Sequence, residues 1–188
     1  MLCIGIFNGD PHPGNILLLK DGRLGLIDYG QVKRMTLEQR LTYAKLILAH
    51  ASNDKEEVIR LHFKEMGTLT KKMRGEIAYL SNSFYHDRDT PDVIDKYNIA
   101  TFVDWLQAED PMIRLADDYL FAARVSIMIR GMAKAFGIRI KMSTLWEKEA
   151  RTLLQKHGIY HMTSQEDFRK DAYHHVTLPA DYRMLSPA

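Results

Sequence analysis

Residues 10–15 read Asp10-Pro11-His12-Pro13-Gly14-Asn15, and thirteen positions beyond Asn15 the chain reads Asp28-Tyr29-Gly30. Between the two strings lie Ile16-Leu17-Leu18-Leu19, then Lys20-Asp21-Gly22-Arg23, then Leu24-Gly25-Leu26-Ile27. Two apolar runs around an Asp-Gly turn predict a β-hairpin. A hairpin returns its end to its beginning, so Asn15 and Asp28 are expected side by side at one edge. Pro11 and Pro13 restrict φ, which suits side chains that must be held still. Asp28 leaves an apolar strand, where a carboxylate has little structural purpose unless it binds something. Gly30 is expected to let the backbone turn sharply behind it.

An Asp followed five positions later by Asn, and past a hairpin by Asp-aromatic-Gly, is the pattern of a phosphoryl-transfer site. The first Asp orients or deprotonates the acceptor hydroxyl, while the Asn and the second Asp hold Mg²⁺ against the phosphates. On this reading Asp10 is the catalytic residue and Asn15 and Asp28 are the metal ligands. Asp10, Asn15, Asp28 and His12 together form the nucleotide site, and ATP and Mg²⁺ are the cofactors. His12 has a competing role: its ring locks the loop through neighbouring backbone, because the two prolines remove donors there. Lys33-Arg34 can be read as a phosphate contact or, by default, as the solvated entry to a helix.

The 188 residues suffice for one domain with a core, and 46% hydrophobic against 27% charged content is globular. A net charge of +2 with no basic run longer than Lys71-Lys72 points neither to nucleic acid nor to an anionic membrane. The single Cys3 excludes an internal disulfide and a Cys-based zinc site. Tyr119–Ile129 is the best membrane-span candidate. It fails on length and on the interrupting Arg124.

Everything after Val32 reads as helical. Thr36 and Gln39 form a capping box, with Leu37, Leu41, Ala44 and Leu48 on one face. Asn53 and Glu56 repeat the box for a helix ending near Met66, before Gly67. Met73, Ile77, Leu80 and Phe84 mark a third helix, and Asp87–Pro91 a polar break. A short helix spans 99–106. The longest, 112–136, is expected to be central and buried, with Arg130 in a buried ion pair. Thr144 and Glu147 box the last helix, which runs to His157. The methionines at 112, 128, 132 and 142 read as core filler, and His174-His175 as a solvated pair.

Asp-Pro-His-Pro-Gly-Asn-Ile followed by Ile-Asp-Tyr-Gly-Gln resembles the UbiB/aarF-domain-containing (ADCK-type) atypical kinase family. The similarity extends to Ile127-Met128-Ile129-Arg130-Gly131, Gly137 and Leu145-Trp146, covering roughly residues 4–157. The resemblance implies a mainly α, protein-kinase-like C-terminal lobe. One small β-hairpin would carry the catalytic and metal-binding loops, with about six helices following. The lobe would span 1–158 and an irregular tail 159–188. The resemblance also implies a Mg-ATP site, action in ubiquinone or other prenyl-lipid metabolism, and lipid or quinone-pathway partners. The location implied is the mitochondrion or plastid.

Two departures shape the expectation. Asn8 stands where the family usually has a His two residues before the catalytic Asp, which puts the loop's rigidity in question. Only nine residues precede Asp10, so the phosphate loop, the strand Lys and its partner Glu, which lie upstream in kinases, are not encoded here. The chain is therefore expected to be a C-terminal lobe that does not act without an N-lobe. Ile4, Ile6 and Phe7 would mark the surface it covered. The alternatives are an aminoglycoside- or choline-kinase-like phosphotransferase and a non-catalytic helical interaction module.

Overall fold

The computed structural model describes residues 1–114 and 117–159. It is mainly helical with small antiparallel sheets, as expected of a kinase-like C-terminal lobe. Strand β1 (Ile6–Asn8) leads through the Asp10 loop and a 3₁₀ turn at Pro13–Asn15 into β2 (Ile16–Leu18), β3 (Leu24–Leu26) and β4 (Val32–Arg34). Then come α1 (Leu37–Ala51), α2 (Lys55–Arg60), a π-helical turn (Leu61–Glu65), β5 (Leu69–Thr70) and α3 (Gly75–His86). The chain continues through α4 (Pro91–Ile94), α5 (Ile99–Glu109), β6 (Met112–Arg114), α6 (Asp117–Ala135) and α7 (Met142–Lys156).

β2 and β3 form the expected hairpin, pairing Ile16 with Leu26 and Leu18 with Leu24. Gly22, at φ +81°, makes its turn. Two further pairings were not foreseen. β4 pairs with β1, so Lys33-Arg34 belongs to a strand and is not a helix entry. β6 pairs with β5, which removes Met112–Arg114 from the long helix. The Arg114 guanidinium donates to Gly67 O and fixes that strand pair. Among the expected helical positions, Leu115 and Ala116 lie outside the described residues, as do His174-His175 and the tail from Tyr160.

The Thr36/Gln39 capping box is present in both directions. α1 nevertheless buries Tyr43, Ala44, Leu46, Ile47 and His50, while Leu37 is exposed. α1 packs along α7, and Ala150, Leu153 and Leu154 of α7 join Tyr43, Leu46, Ile47, Val58 and Leu61 in the larger core. A second cluster, Ile77, Phe84, Val93, Phe102 and Leu106, lies under α3 and α5.

Two boxes move. Asp54, not Asn53, caps α2, accepting from Glu57 N, and Asn53 instead sits at φ +55°. α7 begins at Met142, so Thr144 falls inside it, because Asp87 Oδ1 accepts from Ser143 N and satisfies the helix start from across the fold. α6 is the longest helix, but it is not buried all round: Leu120 is exposed. Arg130 is buried, donating to Phe84 O and Ser126 O, with Asp89 Oδ1 3.9 Å away. Among the described residues no helix is long and apolar enough to cross a membrane.

Candidate active site

The site is assembled by two antiparallel pairs joined at one edge. The hairpin ladder ends where Ile27 N donates to Asn15 O at 3.2 Å, which sets Asn15 beside the start of the Asp28 turn. The β1–β4 ladder ends where Gly9 N donates to Gln31 O at 2.8 Å, which sets the Asp10 loop beside the end of that turn. Neighbouring backbones therefore carry Asp10, Asn15 and Asp28 to the same edge.

Asn8 ties the two loops together. Its side-chain amide donates to Asp28 O at 3.0 Å, and its Oδ1 accepts from Asp10 N at 2.9 Å. The residue that put the loop's rigidity in question is thus a bridge between the two segments. His12 Nδ1 accepts from Gly14 N at 3.1 Å and caps the 3₁₀ turn that delivers Asn15. The geometry so gives His12 the loop-locking contact. Its Nε2 makes no hydrogen bond among the described residues.

Asp28 is exposed; its Oδ1 accepts from Gly30 N at 2.7 Å, and its Oδ2 makes no hydrogen bond among the described residues. Gly30 lies in the expected turn, which leads into β4, and does so without a positive φ. A Cβ at Gly30 would stand 3.2 Å from Asp28 Oδ1 and would press the carboxylate aside by a few tenths of an ångström. A carboxylate and an amide side chain carried on neighbouring backbone are hard-oxygen donors of the kind that Mg²⁺ takes. Among the described residues no three His, Cys, Asp or Glu side chains gather as a metal cage. Mg²⁺ of the phosphate-bridging kind needs none, since it takes its other oxygens from phosphates and water.

α6 supports the loop from behind. A Cβ on Gly9 would lie 2.8 Å from the Phe121 ring and 3.0 Å from Gln31 O, so only glycine allows this approach. Lys33 Nζ sits 4.0 Å over the same ring in a cation–π contact. Three residues past Phe121, Arg124 Nη2 reaches to 3.0 Å from Asp10 Oδ1. The pair is an ion contact not aligned as a hydrogen bond. Sequence reasoning missed Arg124 as a site residue. The only signal was a lone charge breaking an apolar helix.

The hairpin carrying the metal-ligand candidates is apolar and uncovered. Leu18 is 77% exposed, Leu24 69% and Tyr29 64%, with Leu17, Leu26 and Ile27 also exposed. Ile4 is 73% exposed, whereas Ile6 and Phe7 are half-buried. The open apolar surface is centred on the hairpin rather than on the three residues expected to form it.

Comparison with known proteins places these motifs. Residues 1–62 match the family model of the ABC1 atypical kinase-like domain. Over 71 residues the chain is 34% identical to "Protein ACTIVITY OF BC1 COMPLEX KINASE 1, chloroplastic" of Arabidopsis thaliana, covering 38% of this chain and 10% of that protein. It is 44% identical over 57 residues to the uncharacterized protein slr0889 of Synechocystis sp., covering 30% and 14%. A longer alignment to the uncharacterized slr1919 of the same organism is 26% identical over 144 residues, covering 73% and 24%. The aligned stretches thus span no more than a quarter of these relatives' own lengths. No solved structure matches. The family that the motifs resemble is thus the one whose model residues 1–62 match, the ABC1 atypical kinase-like domain.

Proposed function

We propose that this chain is the C-terminal lobe of an ABC1-type atypical kinase or ATPase, spanning 1–158, and supplies half of a Mg-ATP phosphoryl-transfer site. Asp10 orients or deprotonates the acceptor, and Asn15 with Asp28 Oδ2 holds Mg²⁺ on the nucleotide phosphates. His12 keeps Asn15 in place and borders the nucleotide. The observation carrying the reading is the Asn8 bridge, which fixes the Asp10 backbone to the Asp28 backbone as a site with two cooperating loops requires. Arg124 balances the charge of Asp10. The exposed hairpin is the floor onto which a second lobe packs, covering Leu18, Leu24 and Tyr29 and completing the grip on ATP. A role in prenyl-lipid metabolism rests on family resemblance. The plastid is favoured over the mitochondrion because two relatives are chloroplastic by name and three are cyanobacterial.

Paramagnetic Mn²⁺ substituted for Mg²⁺ tests the assignment. With ATP present, amide signals of Asn15, Asp28 and Gly30 should broaden first, and Asp28→Ala should abolish the effect. Broadening centred elsewhere, or unchanged in Asp28→Ala, would overturn the site.

A further inference from the structure

A cavity of about 130 Å³ lies between the π-helical turn, α3, β6 and α6, with His62, Met66, Asn82, His86, Met112 and Ala123 in its wall. Most of this wall is apolar, yet it holds two imidazoles that are each more than nine-tenths buried. His62 Nε2 and His86 Nδ1 have no hydrogen-bond partner among the described residues. Buried polar nitrogens without partners are uncommon and call for an explanation. His62 also sits on a π-helical turn, a rare geometry that recurs at functional sites.

The proton on His62 can be placed. Asn82 Oδ1 stands 2.8 Å from His50 Nε2, and Asn82 Nδ2 stands 3.2 Å from His62 Nδ1. With the Asn82 amide oriented this way, its nitrogen donates and His62 Nδ1 accepts. A neutral imidazole that accepts at one nitrogen carries its hydrogen on the other. His62 Nε2 therefore offers an unused N–H. Burial keeps His62 and His86 neutral near pH 7, and an ion entering this wall would find no countercharge to offset its desolvation. An engineered apolar cavity of ~150 Å³ takes up benzene, so one small ring fits here.

We infer that the cavity is a binding site for a small, neutral, flat ring bearing a hydrogen-bond acceptor, received by His62 Nε2–H. The site is separate from the candidate nucleotide site and needs no nucleotide. Ala123 forms part of its wall, while the next residue, Arg124, reaches Asp10.

Pyridine and benzene, equal in shape and different by one acceptor, are the probes, and the methyl groups of Met66 and Met112 are the reporters. In the 188-residue chain carrying ¹³C-methyl methionine, pyridine should shift both signals saturably. His62→Leu should weaken pyridine about fivefold, the value of one net hydrogen bond, and leave benzene within about twofold. Ala123→Leu, which fills the space, should remove both responses while the fold is retained by circular dichroism. Absence of a saturable shift with either ring would mean that the cavity holds only water and would overturn the inference. So would undiminished binding in Ala123→Leu, or equal loss of pyridine and benzene in His62→Leu.

Discussion

A single carboxamide at Asn8 performs two tasks, donating to one loop and accepting from the other. Neither contact is deeply buried, so each contributes at the modest end of about 0.5–1.5 kcal/mol. Asn8→Ala should lower the urea unfolding free energy by about 1–2 kcal/mol with an unchanged slope. It should also erase the Mn²⁺-ATP broadening at Asn15, whereas Asn8→His, with a donor and an acceptor of its own, should keep more of it. An Ala variant that binds as the parent does would show the bridge to be incidental. Gly9 gives a second residue-scale test. Gly9→Ala drives a methyl into Phe121 and Gln31 O and should cost about 1–3 kcal/mol. Pairing it with Phe121→Ala should recover part of that loss in a double-mutant cycle, because one of the two clashes is then gone.

Elements in this fold are stopped and started by partners far away in sequence, and that decides which of them sequence reading could find. The hairpin was legible because its turn is local, with Asp21-Gly22 between two apolar runs. The α1 start was legible because Thr36 and Gln39 are neighbours. β4 was not, since its strand character comes from β1, twenty-odd residues away. The start of α7 was misplaced for the same reason: its cap is Asp87, from a stretch that reads as a polar break. Asp87 is fully buried and accepts from Ser143 N and Arg88 Nη1 at 2.8 Å each. Burial alone would raise its carboxyl, but these contacts and the nearby cations more than offset that and hold it below the usual range. Asp87→Ala strips α7 of its cap and leaves the buried Arg88 facing one carboxylate fewer. It should destabilise the chain by about 3–5 kcal/mol in urea unfolding. A loss under about 1 kcal/mol would mean that water replaces the carboxylate at both partners. Of the candidate site, the meeting of the Asp10, Asn15 and Asp28 segments was legible because the hairpin between them is local, and the Arg124 contact was not, because only tertiary packing brings α6 to the loop.

Seen whole, the interior between α1, the π-helical turn and α3 contains three buried histidines, and this gives the molecule a pH dependence separate from its candidate chemistry. His62 is pushed down to about 4 by burial. His86 is pushed down to about 3 by burial, with His50, His62 and Arg130 adding repulsion. His50 is lowered by burial as well, against the pull of Asp87. In the unfolded chain each ring takes up a proton near the ordinary value of about 6.5. Below that pH the unfolded state binds more protons than the folded one, so acid favours unfolding. The stabilisation is complete above about pH 6.5 and is lost progressively toward pH 4, at up to about 1.4 kcal/mol per pH unit per histidine. The Asp87 contribution is lost only below the ordinary carboxylate range, so between pH 7.5 and 5 the histidines act without it. Urea midpoints measured from pH 7.5 down to 5 should therefore fall steadily once pH drops below about 6.5. His86→Phe, which keeps the ring's bulk and its edge contact with Tyr43, should flatten that fall by up to about half, since His86 is one of the two rings pushed furthest down. A profile flat across this range in the parent chain would show that these histidines are hydrated or already charged in the folded state.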